Sequence, residues 1–170
     1  PVAVEGSSPF TGADLATAFD AHGGEQWAPR YADKLRRLGF PPLRGHLRGF
    51  IDLVFRREGR FYLVDYKSNR LGDRPGDYRF EAMLAAMEEH DYVLQYHLYL
   101  VALHRHLARR LPGYDFDRHV GGVYYLFLRG MSPQEPGDFG VFRDRPSRAL
   151  VEALSECFGA DEPERGGQVS

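Results

Sequence analysis

The chain has 170 residues, 43% of them hydrophobic and 14% aromatic, enough for one domain with a sizeable core. A formal net charge of −2 gives no global field for holding a polyanion, and the single cysteine, Cys157, excludes an internal disulfide and any all-cysteine metal site, which suits a reducing, cytoplasmic setting. No apolar stretch approaches the roughly 20 residues needed to cross a bilayer, and a chain that opens on Pro1 without an initiator methionine is expected to be a piece of something longer.

Thr11 with Asp14 reads as a capping pair, and Leu15, Ala18 and Phe19 recur at helical spacing, which predicts a helix over 12–21 stopped by His22, Gly23 and Gly24. A second helix is expected over 25–38 on Trp27, Tyr31 and Leu35, with Gly39 ending it. Pro41 and Pro42 force an extended entry, and residues 43–55 and 61–67 read as two strands. A proline- and glycine-rich loop over 73–77 follows. Helical patterns then run over 78–90, with Phe80, Met83, Leu84 and Met87 on one face, and over 92–111, with Leu94, Leu98 and Val101 on one face. The apolar run 123–128 behind Gly121 and Gly122 reads as a buried central strand. A loop with Pro133, Pro136 and Gly137, a short strand at 141–142 and a helix opened by Pro146 and running to Phe158 complete a domain over 1–158. Residues 159–170, charged and glycine-rich, read as a disordered tail. The fold class is α/β, a mixed sheet flanked by helices. The local basic clusters around Arg30, Arg56 and Arg105 read as solvated faces and turn charges.

In GFIDLVFRREGRFYLVDYKSNRLG, residues 49–72, each apolar run carries an aspartate where a core residue would be expected. A two-residue tip at Glu58 and Gly59, or a four-residue loop, sets Arg56 opposite Phe61 and Val54 opposite Leu63, and so makes Asp52 and Asp65 direct cross-strand neighbours. A three-residue loop would shift the register by one and separate them. Alternation then puts Lys67 on the aspartates' face and Tyr66 on the other. Two facing carboxylates repel, so they need a positive partner. Two readings are open on spacing alone: an ion pair with Lys67 at the sheet edge, or a divalent ion held by both aspartates with Lys67 directed at a phosphate or water. Mg²⁺, which takes one or two carboxylates and keeps its other positions for water and substrate oxygens, suits the second.

Gly49-Phe50-Ile51-Asp52-Leu53-Val54-Phe55, then Asp65-Tyr66-Lys67-Ser68-Asn69, QYHLY at 95–99 and GGVYYLFLRG at 121–130 closely resemble the RecB-like nuclease domains of bacterial helicase-nucleases, a likeness covering about residues 43–158. The resemblance implies a restriction-endonuclease-like core and an exodeoxyribonuclease V type of activity. It implies that Asp52 and Asp65 are metal ligands, joined by the backbone carbonyl of Tyr66, and that Lys67 is the catalytic lysine. It also implies that the ion, Mg²⁺, polarises a phosphodiester and helps form hydroxide while the lysine positions water or offsets charge on the phosphate. Gln95 and Tyr99, four apart and so on one helix face, match the family's glutamine and tyrosine beside the metal site, which contact the DNA backbone or support the lysine. The family also uses a histidine ligand ahead of the hairpin. Neither His22 nor His46 lies in a matching stretch, so that ligand is expected upstream of Pro1. His90, His97, His104, His106 and His119 read as surface or packing residues.

The expected partners are DNA, RecC-like and RecD-like subunits, and the RecA recombinase. The competing function is a silent docking module that keeps the fold for RecC-like or RecA-like partners; retention of Asp52, Asp65 and Lys67 together argues against it. Without the upstream histidine and with near-neutral charge, residues 1–170 alone are expected to cut DNA weakly or not at all.

Overall fold

The computed structural model describes residues 2–27, 30–38, 43–133 and 137–159. In chain order these form strand β1 (Val2–Phe10), helices α1 (Gly12–His22), α2 (Gly24–Trp27) and α3 (Arg30–Arg37), and strands β2 (Leu43–Gly49), β3 (Leu53–Arg57) and β4 (Arg60–Lys67). Helices α4 (Phe80–Glu89), α5 (Tyr92–Arg110) and α6 (Phe116–His119) follow, then strand β5 (Val120–Phe127), strand β6 (Val141–Asp144) and helix α7 (Arg148–Cys157). Single 3-10 turns lie at Pro75–Tyr78 and Leu128–Gly130.

Four strands make the central mixed sheet in the order β3-β4-β5-β6, with β4 parallel to β5 and the other pairs antiparallel. Helices α4 and α5 fill the crossover that a parallel pair requires. The β3-β4 turn is the two-residue tip read from the sequence. Glu58 and Gly59 both have positive φ, 51° and 81°, as a type I′ turn demands, and Arg56 pairs with Phe61 and Val54 with Leu63.

One expected strand is in fact two. The stretch 43–55 breaks at Phe50 to Asp52: β2 leaves to pair antiparallel with β1 in a separate two-stranded sheet, and only β3 joins the central sheet. The sequence reading had no partner for β2 because Val2–Phe10 carries Gly6, Ser7, Ser8 and Pro9, which mask its strand character. The helix expected over 25–38 is two short helices, α2 and α3. The central strand starts three residues earlier than its apolar run, because Gly121 and Gly122 are inside it. A Cβ at Gly121 would sit 2.1 Å from the Tyr62 ring, so the glycine makes room for that ring to lie across β5. Gly39, Pro41, Pro42, Pro136 and the expected tail from residue 160 onward lie outside the described residues.

Capping follows the sequence closely. Thr11 and Asp14 form a reciprocal capping box, the Thr11 N–H donating to Asp14 Oδ2 at 2.7 Å and the Asp14 N–H to Thr11 Oγ1 at 3.4 Å. Ser147, directly after Pro146, caps α7 by accepting from Leu150 N–H at 3.1 Å.

The core lies between the sheet and α5. Leu63, Val123, Tyr125, Phe127 and Phe142 project from β4, β5 and β6 on one face and are buried with Val93, Tyr96 and Leu100 of α5. Each such fully buried large apolar side chain contributes about 1.5–3 kcal/mol. The face of α5 turned inward is therefore Val93, Tyr96, His97 and Leu100, whereas Leu94 and Leu98 are half-buried flanks. A half-buried acidic residue ties the layers together: Asp144 Oδ2 accepts from Tyr96 OH at 2.5 Å and from Trp27 Nε1 at 3.2 Å. On the opposite face of the sheet, Phe55 stacks on Tyr62 with ring centroids 4.9 Å apart, and Tyr124 lies beside them.

Candidate active site

Asp65 and Lys67 occupy alternate positions near the carboxyl end of β4 and point inward, 6% and 9% exposed, while Tyr66 between them is 46% exposed on the other face. Alternation along a strand sets this division, and β4 has two paired neighbours to hold it. The Lys67 ammonium lies 2.6 Å from Asp65 Oδ1. Asp52 sits in the bend just before β3, where the ladder ends at Leu53 and Val64, so it is not the ladder partner of Asp65 that counting expects; its Oδ2 instead accepts from the Tyr66 N–H at 2.9 Å. The hairpin thus brings both aspartates and the lysine to one end of β4.

Burial pushes the Asp65 carboxyl above its ordinary pKa; Lys67 opposes this through hydrogen bonding and charge, and the nearby Asp52 reinforces it. A carboxylate held this way gains from more positive charge. The donor set suits a hard divalent ion: two carboxylates, with the Tyr66 carbonyl in the same stretch of β4. Among the described residues no group of three or more His, Cys, Asp or Glu side chains converges as a metal centre, so no histidine joins the pair. Of the two histidines considered from the sequence, His22 ends α1 with its carbonyl accepting from Ser147 Oγ, and His46 pairs with Glu5 in the β1-β2 ladder. His97 is a core residue, wholly buried against Phe19 and Tyr96.

Helix α5 presents Tyr92, Gln95 and Tyr99 on one stripe toward this end of the sheet. Gln95 reaches the site directly: its Oε1 accepts from Lys67 Nζ at 3.1 Å and from Tyr125 OH at 2.9 Å, and its Nε2 donates to Tyr99 OH at 3.1 Å. The Tyr99 ring packs on Gly49, where a Cβ would come within 2.7 Å. Burial, with Asp65 second, raises the Tyr99 and Tyr125 hydroxyls above the ordinary tyrosine pKa, so both stay protonated and able to donate.

Two aromatic residues that sequence reasoning passed over stand at the lysine. The Tyr92 ring centroid is 3.8 Å from Lys67 Nζ and that of Tyr125 is 4.9 Å away. Tyr92 lies three residues before Gln95, a spacing that was readable as the same helix face. Tyr125 had no such signal, because it meets Lys67 through the parallel register of β4 and β5, which pairs Asp65 with Tyr125 and Lys67 with Phe127. The loop after Lys67 is held by tyrosine hydroxyls. Tyr92 OH donates to Asn69 Oδ1 at 3.1 Å, and the buried Tyr78 hydroxyl accepts from Leu71 N–H at 3.2 Å. Arg129, just past β5, donates from Nε to the Ser68 carbonyl at 2.9 Å, so a cation stands at the rim beside the lysine strand.

Comparison with known proteins extends the resemblance beyond residues 43–158. The chain matches the PD-(D/E)XK nuclease superfamily over residues 7–163. It is 52% identical over 121 residues to the RecBCD enzyme subunit RecB of Escherichia coli, covering 71% of this chain and 10% of that protein. It is 50% identical over 121 residues to the same subunit of Haemophilus influenzae, covering 71% of this chain and 10% of the relative. Against the Mycobacterium tuberculosis subunit it is 47% identical over 156 residues, 86% of this chain and 14% of the relative. The chain therefore spans about a tenth of the length of these relatives.

Proposed function

Because this chain belongs to the PD-(D/E)XK nuclease superfamily and has its restriction-endonuclease-like fold, we propose that it is a Mg²⁺-dependent DNA nuclease domain whose site is Asp52, Asp65, Lys67, Gln95 and Tyr99. The observation that carries this reading is the position of Asp52 and Asp65 at one end of β4 with Lys67 2.6 Å from Asp65. Asp52, Asp65 and the Tyr66 carbonyl would hold the ion. When bound, the ion supplies Lewis acidity toward a phosphodiester and a water of lowered pKa.

The protein's own groups divide the remaining work. Gln95 Oε1 fixes the Lys67 ammonium, so its charge is in place before the phosphate develops more negative charge and no reorganisation is needed. Tyr99 accepts from Gln95, which leaves its own proton to donate outward to a phosphate oxygen. Arg129 adds a cation for backbone phosphates at the rim.

The relatives are subunits of the RecBCD enzyme, and on that ground the chain is read as part of a cytoplasmic assembly with RecC-like and RecD-like subunits. There it degrades strands delivered by an attached helicase during recombinational repair and offers a surface to a RecA-like recombinase. A net charge of −2 is compatible with this, because a tethered domain works at high local DNA concentration and need not capture DNA itself.

The test is Asp65→Ala in the full-length protein within its complex. Cleavage in Mg²⁺ is expected to disappear while DNA unwinding continues. Cleavage at the parent's rate in that variant would overturn the assignment and favour a docking role.

A further inference from the structure

We propose that Tyr92, with Tyr125 beside it, is a positioning residue for Lys67: the two ring faces form an aromatic clamp that orients the ammonium without cancelling its charge. The proposal rests on the reading of Lys67 as the catalytic lysine. An ammonium has three N–H donors. Asp65 Oδ1 takes one at 2.6 Å and Gln95 Oε1 takes another at 3.1 Å. The Tyr92 and Tyr125 rings close on the same nitrogen at 3.8 and 4.9 Å, both inside the range of a cation–π contact. Lys67 is 9% exposed, and a desolvated ammonium is where such a contact is strongest.

The choice of an aromatic wall has a chemical reason. A further carboxylate at this place would hold the ammonium equally well, but it would add a full negative charge and quench the field that an incoming phosphate feels. A ring attracts the cation through its quadrupole and carries no net charge. Lys67 is then fixed on one side by Asp65 and Gln95 and on another by neutral faces.

Both rings are themselves fixed. Tyr92 OH donates to Asn69 Oδ1, two residues past Lys67, and the ring lies against Tyr125 with centroids 5.9 Å apart. Tyr125 OH donates to Gln95 Oε1, the same oxygen that receives the lysine proton. With Nε2 given to Tyr99, the amide of Gln95 has one orientation that satisfies all three contacts. A tyrosine serving only as packing would not need its ring face at the ammonium, and its effect would be indifferent to ring electronics.

The experiment uses that difference. In the full-length protein, residue 92 is replaced by phenylalanine, by phenylalanines carrying one, two and three ring fluorines, and by leucine; kcat, KM and the half-saturating Mg²⁺ concentration for DNA cleavage are measured. Fluorination weakens the quadrupole while keeping a near-identical shape, so the series probes the clamp in a folded protein. We expect kcat to fall stepwise with fluorine number, and Tyr92→Leu to lose about 2- to 30-fold relative to Tyr92→Phe, with KM and the Mg²⁺ requirement unmoved. A flat fluorine series, Tyr92→Leu equal to Tyr92→Phe, or an effect confined to KM or Mg²⁺ would overturn the clamp. Lys67→Met in parallel separates the two levels: if it cuts as well as the parent, the catalytic reading of the lysine fails, whereas an inactive Lys67→Met beside a flat series sinks the clamp alone.

Discussion

Replacing Lys67 by Met tests how the site balances its charge. The Lys67 and Asp65 side chains are 10% and 8% exposed and meet at 2.6 Å. Both influences that hold the Asp65 carboxyl down come from Lys67, whereas burial and Asp52 push it up. Removing the lysine therefore raises the Asp65 pKa further and leaves a buried carboxylate without its partner. Breaking a buried pair from one side typically costs about 3–5 kcal/mol. The sign with pH follows from linkage. An acid whose folded pKa is raised is favoured in its neutral form by the fold, so stability is highest below the unfolded value near 3.8 and is lost as pH rises through the folded pKa. Lys67→Met should thus be strongly destabilised at pH 7 and much less so near pH 4. Adding Asp65→Asn removes the stranded charge and should recover most of the loss at pH 7. Urea unfolding of the two single variants and the double variant at both pH values gives the comparison. In Lys67→Met, calorimetry should still detect Mg²⁺ binding, tighter than in the parent because a competing cation has gone. The reasoning is refuted if Lys67→Met is as stable as the parent at pH 7, or if the double variant is no better than Lys67→Met.

Two further predictions concern the scaffold. His97 is wholly buried, its Nδ1 donates to the Val93 carbonyl at 2.7 Å and its Nε2 has no partner among the described residues, so burial holds the imidazole down from 6.5 to about 4. The unfolded chain binds that proton first, so the contribution is complete above about pH 6.5 and falls by about 3 kcal/mol as pH drops toward 4; His97→Leu should flatten this part of the profile, and an NMR titration placing His97 near 6.5 would contradict it. Glu58 adopts a φ of 51°, which asparagine tolerates better; Glu58→Asn should raise stability by about 0.5–1 kcal/mol and the midpoint of thermal unfolding by a few degrees, and a lowered midpoint would count against the strain.

The hairpin was legible because every determinant is local. Two turn residues fix the tip, the pairing follows by counting, and alternation assigns Asp65 and Lys67 to one face with Tyr66 on the other. The capping box of α1 and most helix spans were legible for the same reason. The first strand was not, since Val2–Phe10 becomes a strand through pairing with Leu43–Gly49, and that pairing spans the three helices between them. The same separation hid the break at Phe50. An apolar run reads as one strand until the partner of each half is known.

Tyr125 shows why a local motif is insufficient for chemistry. The hairpin with the bend before it can place two carboxylates and an ammonium together, but nothing within it holds the ammonium away from Asp65 alone. That control comes from Gln95 and Tyr92 on α5 and from Tyr125 on β5, each placed by the crossover that joins β4 to its parallel neighbour. Sliding β5 by one residue along β4 would turn Tyr125 to the far face and bring Tyr124 or Leu126 inward. Gln95 Oε1 would then lose a donor, and the lysine one of its two rings, with Asp52, Asp65 and Lys67 unchanged in sequence. The parallel register is in turn fixed by the burial of Val123, Tyr125 and Phe127 on the core face, which a one-residue slip would expose to the other side. Hydrophobic alternation along β5 thereby sets the position of a polar group on which the lysine depends.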